Sequence, residues 1–303
     1  MNRTGVAFAG CVALGAAALA RSGAEQERPP DPRAEIALPE IPAEVARSFT
    51  FGFAPLAADY TFVQAIQLHG SRPKSSLYAA GTASDRLMAR LLNYSVDMDP
   101  KFDGAYRFAG TALPRHTVDG KAAGVIAAEA LLQRGMRERP DDWRIPFQLG
   151  FLESFYLNHM DAAARAMSVA ARTPGAPRYI GFLATRLAAD AGAVDMGEQL
   201  AAAMEAQTTE EGAREEWKER RLDLRMEREL REIEAAATRF KARTSAWPQT
   251  IAELVRAGDL PRVPPEPHGG HYFLTSEGEA RSSAVPRLRV RGRPGTQSGL
   301  LAQ

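Results

Sequence analysis

The sequence predicts a mainly α fold: a solenoid of α-hairpins, closed by a long charged helix and followed by a small helix-plus-β-hairpin module. Three observations predict it. Pro100, Pro140 and Pro174 each follow an apolar helical run, and Gly110 and Gly150 each lie ten residues after one of the first two prolines. From Gly150, Ala162 is twelve residues on and Pro174 twenty-four. Beyond this array, residues 208–244 are densely charged with one narrow apolar stripe, and the chain then turns Pro- and Gly-rich.

The phasing has physical causes. In a helical hairpin, a small residue on each helix lets the two backbones approach. Gly110 and Gly150 fill this role on the first helices, Ala128 and Ala162 on the second. A proline past the second helix lacks the N–H that would continue the ladder. Pro140-Asp-Asp-Trp143 then reads as a stop followed by an Asp N-cap, and Asp99-Pro100-Lys-Phe-Asp103 reads the same way.

On these residues the chain resembles the tetratricopeptide (TPR) family over roughly residues 60–205, a repeat of about 34 residues that stacks into a solenoid. The large motif positions are only partly kept. Tyr106 stands at the family's first Trp, but Pro146 occupies that position in the next unit. Glu153 replaces the usual Tyr, and Ala166 and Leu132 the usual Phe. The unit starting near Asp103 also carries about six extra residues between its helices, around residues 114–120. An irregular helical domain is the plainer alternative.

The elements follow in order. Residues 1–20 read as a signal peptide or N-terminal anchor. Arg3 gives a positive start, Val6 to Leu19 is apolar and uncharged, and Ala18-Leu19-Ala20 offers a small-x-small cleavage site. Phe8-Ala9-Gly10-Cys11 resembles a lipobox, but the apolar stretch before it is very short. Cys11 is the only cysteine, which leaves the rest of the chain no disulfide and no structural Cys–zinc site. Residues 21–44 form a linker, with Pro29, Pro30, Pro32, Pro39 and Pro42 among charges. Residues 45–206 hold the repeats: Phe53–His69 pairs with Asp85–Met98, two TPR-like units follow, and Tyr179–Ala189 with Val194–Ala206 makes a hairpin without the proline stop.

Residues 207–244 form the long helix, with Leu222, Met226, Leu230, Ile233, Ala237 and Phe240 as its stripe. It reads as a cap on the array, or alternatively as a coiled-coil seam for a partner. Residues 245–280 carry a short helix ending at Gly258, then a hairpin of Tyr272–Leu274 and its return after Gly278. This stretch is similar to the end of type II secretion pseudopilins. The chain lacks their N-terminal methylation motif, and the calcium those proteins often bind is not carried over, because only Glu266 and Glu277 stand near the hairpin. Residues 281–303 read as a disordered basic tail, with arginines at 281, 287, 289, 291 and 293.

Composition narrows the function. A 303-residue chain with 45% hydrophobic residues can form a sizeable core, and a formal net charge of +1 supplies no global field toward nucleic acid. Signatures of chemistry are sparse. His268-Gly-Gly-His271 offers two imidazoles without a third ligand and reads as a plain turn. Asp141-Asp142 fits helix capping better than acid–base work. No phosphate loop, nucleophile elbow or His–Glu zinc helix occurs.

The expectation is therefore a non-enzymatic scaffold without cofactor or metal, periplasmic or anchored in the inner membrane facing the periplasm. Its partner is another protein, such as a peptide or C-terminal segment, in an assembly such as a pilus, secretion or motility system. The membrane is a partner through the N-terminal segment if that is uncleaved. A cytosolic TPR adaptor, or an envelope enzyme or carbohydrate-binding accessory, are the alternatives. In a TPR array the first helices line a groove. Counting from the glycines places Arg107, Thr111, Arg144, Phe147, Phe151, Ser154 and Phe155 there. Arginines with phenylalanines suit an apolar peptide carrying a carboxylate; alternatively the phenylalanines are core.

Overall fold

The computed structural model describes residues 41–71 and 82–288. The apolar run at 6–19, most of the linker and residues 289–303 of the expected tail lie outside them. The described residues form eleven helices and two small antiparallel two-stranded sheets, so the chain is mainly helical. They fall into two compact units, 41–71 with 82–99, and 100–288.

The first unit contains α1 (Ala43–Phe49), α2 (Ala54–Gly70) and α3 (Ala83–Met98). α3 opens on a capping box: the Thr82 hydroxyl accepts the Asp85 N–H at 3.1 Å, and the Asp85 carboxylate accepts the Thr82 N–H at 2.9 Å. Ala58, Ala65 and Leu68 of α2 are buried, as are Met88, Leu92 and Val96 of α3. The small Ala58 permits close approach, and Ser95 donates to its carbonyl at 2.9 Å.

The second unit begins with α4 (Asp103–Ala112), β1 (Arg115–His116), β2 (Ala122–Ala123) and α5 (Val125–Glu138). It continues through α6 (Arg144–Phe155), α7 (Met160–Arg172), α8 (Arg178–Ala191), α9 (Val194–Gln207) and α10 (Glu211–Thr244). Each helix from α4 to α10 packs on the next. Gly150 stands at a close crossing: a β-carbon there would lie 2.7 Å from the Met167 side chain and 3.1 Å from the Ala163 carbonyl. At Gly110 it would lie 2.8 Å from Gln148 and 3.2 Å from Leu132. The small residue facing Gly150 is thus Ala163, fully buried, and not Ala162, which is half-exposed.

The expected caps differ in detail. Asp142 does accept the Arg144 N–H, at 3.0 Å, but from two residues before α6 begins, with Trp143 at the N-cap position between them. Asp103 lies inside the first turn of α4 and pairs with Arg107 at 2.6 Å instead of capping. The extra residues between α4 and α5 form the β1–β2 ribbon, with Arg115 opposite Ala123 and His116 opposite Ala122. Its tip is tied by Thr117, Asp119 and Lys121. Hydrogen bonds from Lys121 and Thr117 hold the Asp119 carboxyl down at about 2. The ribbon re-enters α5 through Gly124 at φ 73°, where a β-carbon would fall 2.1 Å from the Leu113 carbonyl oxygen.

α10 carries two apolar stripes. Ala213, Trp217 and Leu224 are buried on one face, with Trp217 stacked on Phe182 of α8 at 4.1 Å between centroids. Met226, Leu230, Ile233 and Ala237 are buried on another. At about 100° per residue the two stripes lie roughly 150° apart. The first packs against α8 and α9, together with Ala189, Val194 and Ala201. The second underlies the C-terminal module, α11 (Ile251–Arg256) with β3 (Tyr272–Leu274) and β4 (Ala280–Ser282). The single stripe read from sequence caught the second face. It took half-exposed Leu222 where buried Leu224 belongs to the first.

The module follows its sequence signals closely. Thr250 caps α11 by accepting the Glu253 N–H at 3.3 Å, and Gly258 follows the helix at φ 76°. Tyr272 pairs with Ser282 across the hairpin and donates its hydroxyl to Glu229 of α10 at 2.6 Å. The tail expected from 281 is a correction. Arg281 lies in β4, and Arg287 folds back onto α10, donating to Glu227 at 2.8 and 3.0 Å and to Glu234 at 2.6 Å. Glu227 has no solvent exposure, so its charge requires such partners.

Candidate functional site

The residues expected to line the groove lie on α4 and α6, which touch each other. They behave differently from one another. Arg107 is already engaged, with Asp103 at 2.6 Å and buried Asp142 at 3.8 Å. Arg144 is half-exposed; it meets Asp142 at 3.5 Å and lays its guanidinium 4.9 Å over the Trp143 ring. Arg139 joins the same cluster through Asp141 at 3.2 Å and Asp103 at 3.9 Å. Three arginines thus alternate with three aspartates where α5 hands over to α6. Only Arg144 keeps an outward aspect suited to a further anion. The Thr111 and Ser154 hydroxyls bond back to their own helices, Thr111 to the Phe108 carbonyl and Ser154 to that of Phe151, both at 3.1 Å.

The phenylalanines divide in the same way. Phe147 is half-buried, set edge-on to Trp143 and Tyr179 at 6.1 and 6.4 Å and packed on the α7–α8 core. Phe151 and Phe155 are 47% and 57% exposed, and their rings stack at 5.2 Å. The helical period explains the pair: residues four apart share one face of α6.

Two residues that the groove count left out complete the patch. His116 on β1 stacks on Tyr156 at 4.8 Å and meets Phe155 edge-on at 5.3 Å. Tyr156 packs edge-on to both phenylalanines and donates its hydroxyl to the Pro114 carbonyl at 3.3 Å. Burial raises the Tyr156 hydroxyl above its ordinary range, so it stays a proton donor to Pro114 at physiological pH. The only sequence signal for this closure was the length of the inserted segment. The patch is therefore a cluster of four rings, with half-buried Tyr156 at its centre and the exposed rings of Phe151, Phe155 and His116 around it. Such surfaces accept apolar and aromatic side chains.

Other polar groups do not converge on it. His268 faces Asp223 at 3.3 Å and Glu219 at 3.7 Å, whereas the Nδ1 of His271 faces the Ser283 hydroxyl at 3.1 Å, so the two imidazoles diverge. Among the described residues, no group of three His, Cys, Asp or Glu side chains could hold a metal ion. An open cleft of about 420 Å³ beside Phe182 is lined by Glu215, Glu216, Glu219, Arg220 and Asp223 of α10. Burial holds the Asp223 carboxyl above its ordinary range, against the pull of Arg220 and His268. Among the described residues, no helix is long and apolar enough to cross a membrane. No protein-family model, no curated protein and no solved structure matches the chain.

Proposed function

We propose that this chain is a non-enzymatic scaffold of the bacterial cell envelope whose second unit is a TPR-like solenoid. It docks a segment of another protein and helps assemble a membrane machine such as a pilus, secretion or motility system. The solenoid reading is supported by the helix-on-next-helix packing and the glycine crossing at Gly150. The envelope reading is supported by the apolar run Val6–Leu19 and the Pro-rich segment after it. The observation that carries the docking reading is the stacked, half-exposed pair Phe151–Phe155, braced by Tyr156 and His116 with half-exposed Arg144 on the same helix. Aromatic rings and arginine are the side chains that dominate protein recognition.

Photo-crosslinking tests it. A benzophenone amino acid at position 155, irradiated in the native envelope, is expected to give one discrete adduct, which a purified candidate partner then reproduces. Arg144→Ala should thin that adduct. Phe151→Ala with Phe155→Ala should abolish binding while costing only about 1–2 kcal/mol of stability, since half-exposed rings lose less than the 3–5 kcal/mol typical of buried ones. A steep loss of stability with unchanged binding would assign both rings to the core. For the compartment, an alkaline-phosphatase fusion after residue 50 should be active; an inactive fusion removes the envelope from the proposal.

A further inference from the structure

The first unit also exposes a run of large apolar side chains. Phe49, Phe51 and Phe53 occupy alternate positions in the turn from α1 to α2 and are 70%, 89% and 69% exposed. Leu56, Tyr60 and Val63 continue the stripe along α2 at the spacing of one helical face, all exposed. Phe51 holds φ 48°, a left-handed conformation that a bulky side chain rarely adopts. The turn thus keeps an aromatic ring in solvent at the cost of backbone strain, a pattern found where function needs it. From Phe49 to Ala58 the chain has no charged residue. Ile41 and Val45 extend the exposed apolar surface to the start of the described chain.

We propose that this face lies in the interfacial layer of a lipid bilayer, with the three phenylalanines inserted as a wedge. It rests on the envelope reading above, since residues 6–19 are taken to reach that same bilayer. Residues 20–40 join the apolar run to the start of this face, and a chain of that length reaches at most roughly 70 Å. Within that reach the face meets a high local concentration of lipid, which raises even a weak interfacial preference. Within the wedge the one polar side chain, Thr50, donates its hydroxyl back to the Arg47 carbonyl at 2.8 Å, so the wedge keeps no side-chain donor for the polar contacts a protein partner makes. Because no lysine or arginine lies on the stripe, binding does not depend on anionic lipid, unlike that of basic amphipathic helices.

The test uses the full chain with Cys11→Ala and a fluorophore on Phe51→Cys, reconstituted into phosphatidylcholine vesicles with nitroxide lipids labelled near the headgroup. The position-51 probe is expected to be strongly quenched, and the same probe at Val118→Cys, an equally exposed site in the second unit, is not. A full chain that binds vesicles with position 51 unquenched overturns the wedge and leaves the anchor standing. In a second arm, Val12→Asp with Leu14→Asp disrupts the apolar run. This chain should still co-sediment with concentrated phosphatidylcholine vesicles, unchanged by added phosphatidylglycerol. Phe49→Ser, Phe51→Ser and Phe53→Ser together should lower the bound fraction roughly fivefold. No sedimentation in this arm overturns the proposal independently of the anchor. So does a lipid-free dimer that the three serines dissolve, which would make a second copy the occupant.

Discussion

Replacing Arg287 by alanine removes four hydrogen bonds to carboxylates, at 2.6, 2.8, 3.0 and 3.5 Å, from a side chain that is 13% exposed. Burial works against the guanidinium charge, and the carboxylates of Glu227 and Glu234 more than offset it, holding Arg287 above its ordinary range. Breaking a buried ion pair by deleting one partner costs about 3–5 kcal/mol. The lower end applies here, because Arg231 remains 3.0 Å from Glu227 and Glu234 can turn to water. At roughly 2–4 °C per kcal/mol for a unit of this size, about 3 kcal/mol lowers the Tm by roughly 6–12 °C. Calorimetry on the full chain measures it. Arg281→Ala, whose partner Glu279 is an exposed neighbour at 2.9 Å, is the control and should shift stability by less than about 1 kcal/mol. Glu227→Met with Arg287→Met should recover part of the loss, since the fully buried Glu227 charge is gone while Arg231 keeps the Ala189 carbonyl and Glu234 the Ala280 N–H. An Arg287→Ala chain that melts with the wild type, or a double variant no better than the single, would refute the view that this arginine docks the segment after β4 onto α10.

Gly150→Leu should overpack the contact with Met167 and Ala163 and cost about 1–3 kcal/mol; an unchanged Tm would remove the close crossing from the account. Tyr272→Phe deprives buried Glu229 of a donor at 2.6 Å and should cost about 1–2 kcal/mol, whereas Tyr60→Phe on the exposed stripe should cost nothing measurable. Burial raises the Glu153 carboxyl, with the bond to His159 at 3.1 Å opposing it. A carboxyl raised in the folded state stabilises when protonated, so its contribution is complete below the ordinary value of about 4.3 and is lost as pH rises through the higher folded value. Glu153→Gln should therefore gain on the wild type between acidic and neutral pH; a difference that stays flat with pH would contradict this.

The helices were legible because their signals are local. Prolines, glycines and apolar periodicity placed α2 to α9, and the Trp247–Gly278 punctuation placed the module. What was illegible depended on contacts distant in sequence. The long helix looks like one stripe to a periodicity count, yet it serves the preceding helices with one face and the module with another. An averaged moment hides a change of face partway along a helix. The segment from 281 looked like a solvated arginine tail because its carboxylate partners lie 53 and 60 residues upstream of Arg287. Charge runs are read as solvated unless the partner is visible, and here it sits on another element.

The candidate site shows the same division at finer scale. Its α6 side could be counted from Gly150, since residues three and four apart share a face. The count could not separate Phe147, held by Tyr179 of α8, from Phe151 and Phe155, which α8 does not cover. Nor could it separate Arg107 from Arg144, because that depends on Asp142 turning its carboxylate between them. The insertion between α4 and α5 was visible only as surplus length. Folded, it becomes a ribbon whose tip ties itself with Thr117, Asp119 and Lys121 and so delivers His116 onto Tyr156. The inserted segment thus walls one side of the aromatic patch on α6. That is physically reasonable: a hairpin's own residues are committed to stacking on its neighbours, and inserted residues are free to shape a surface.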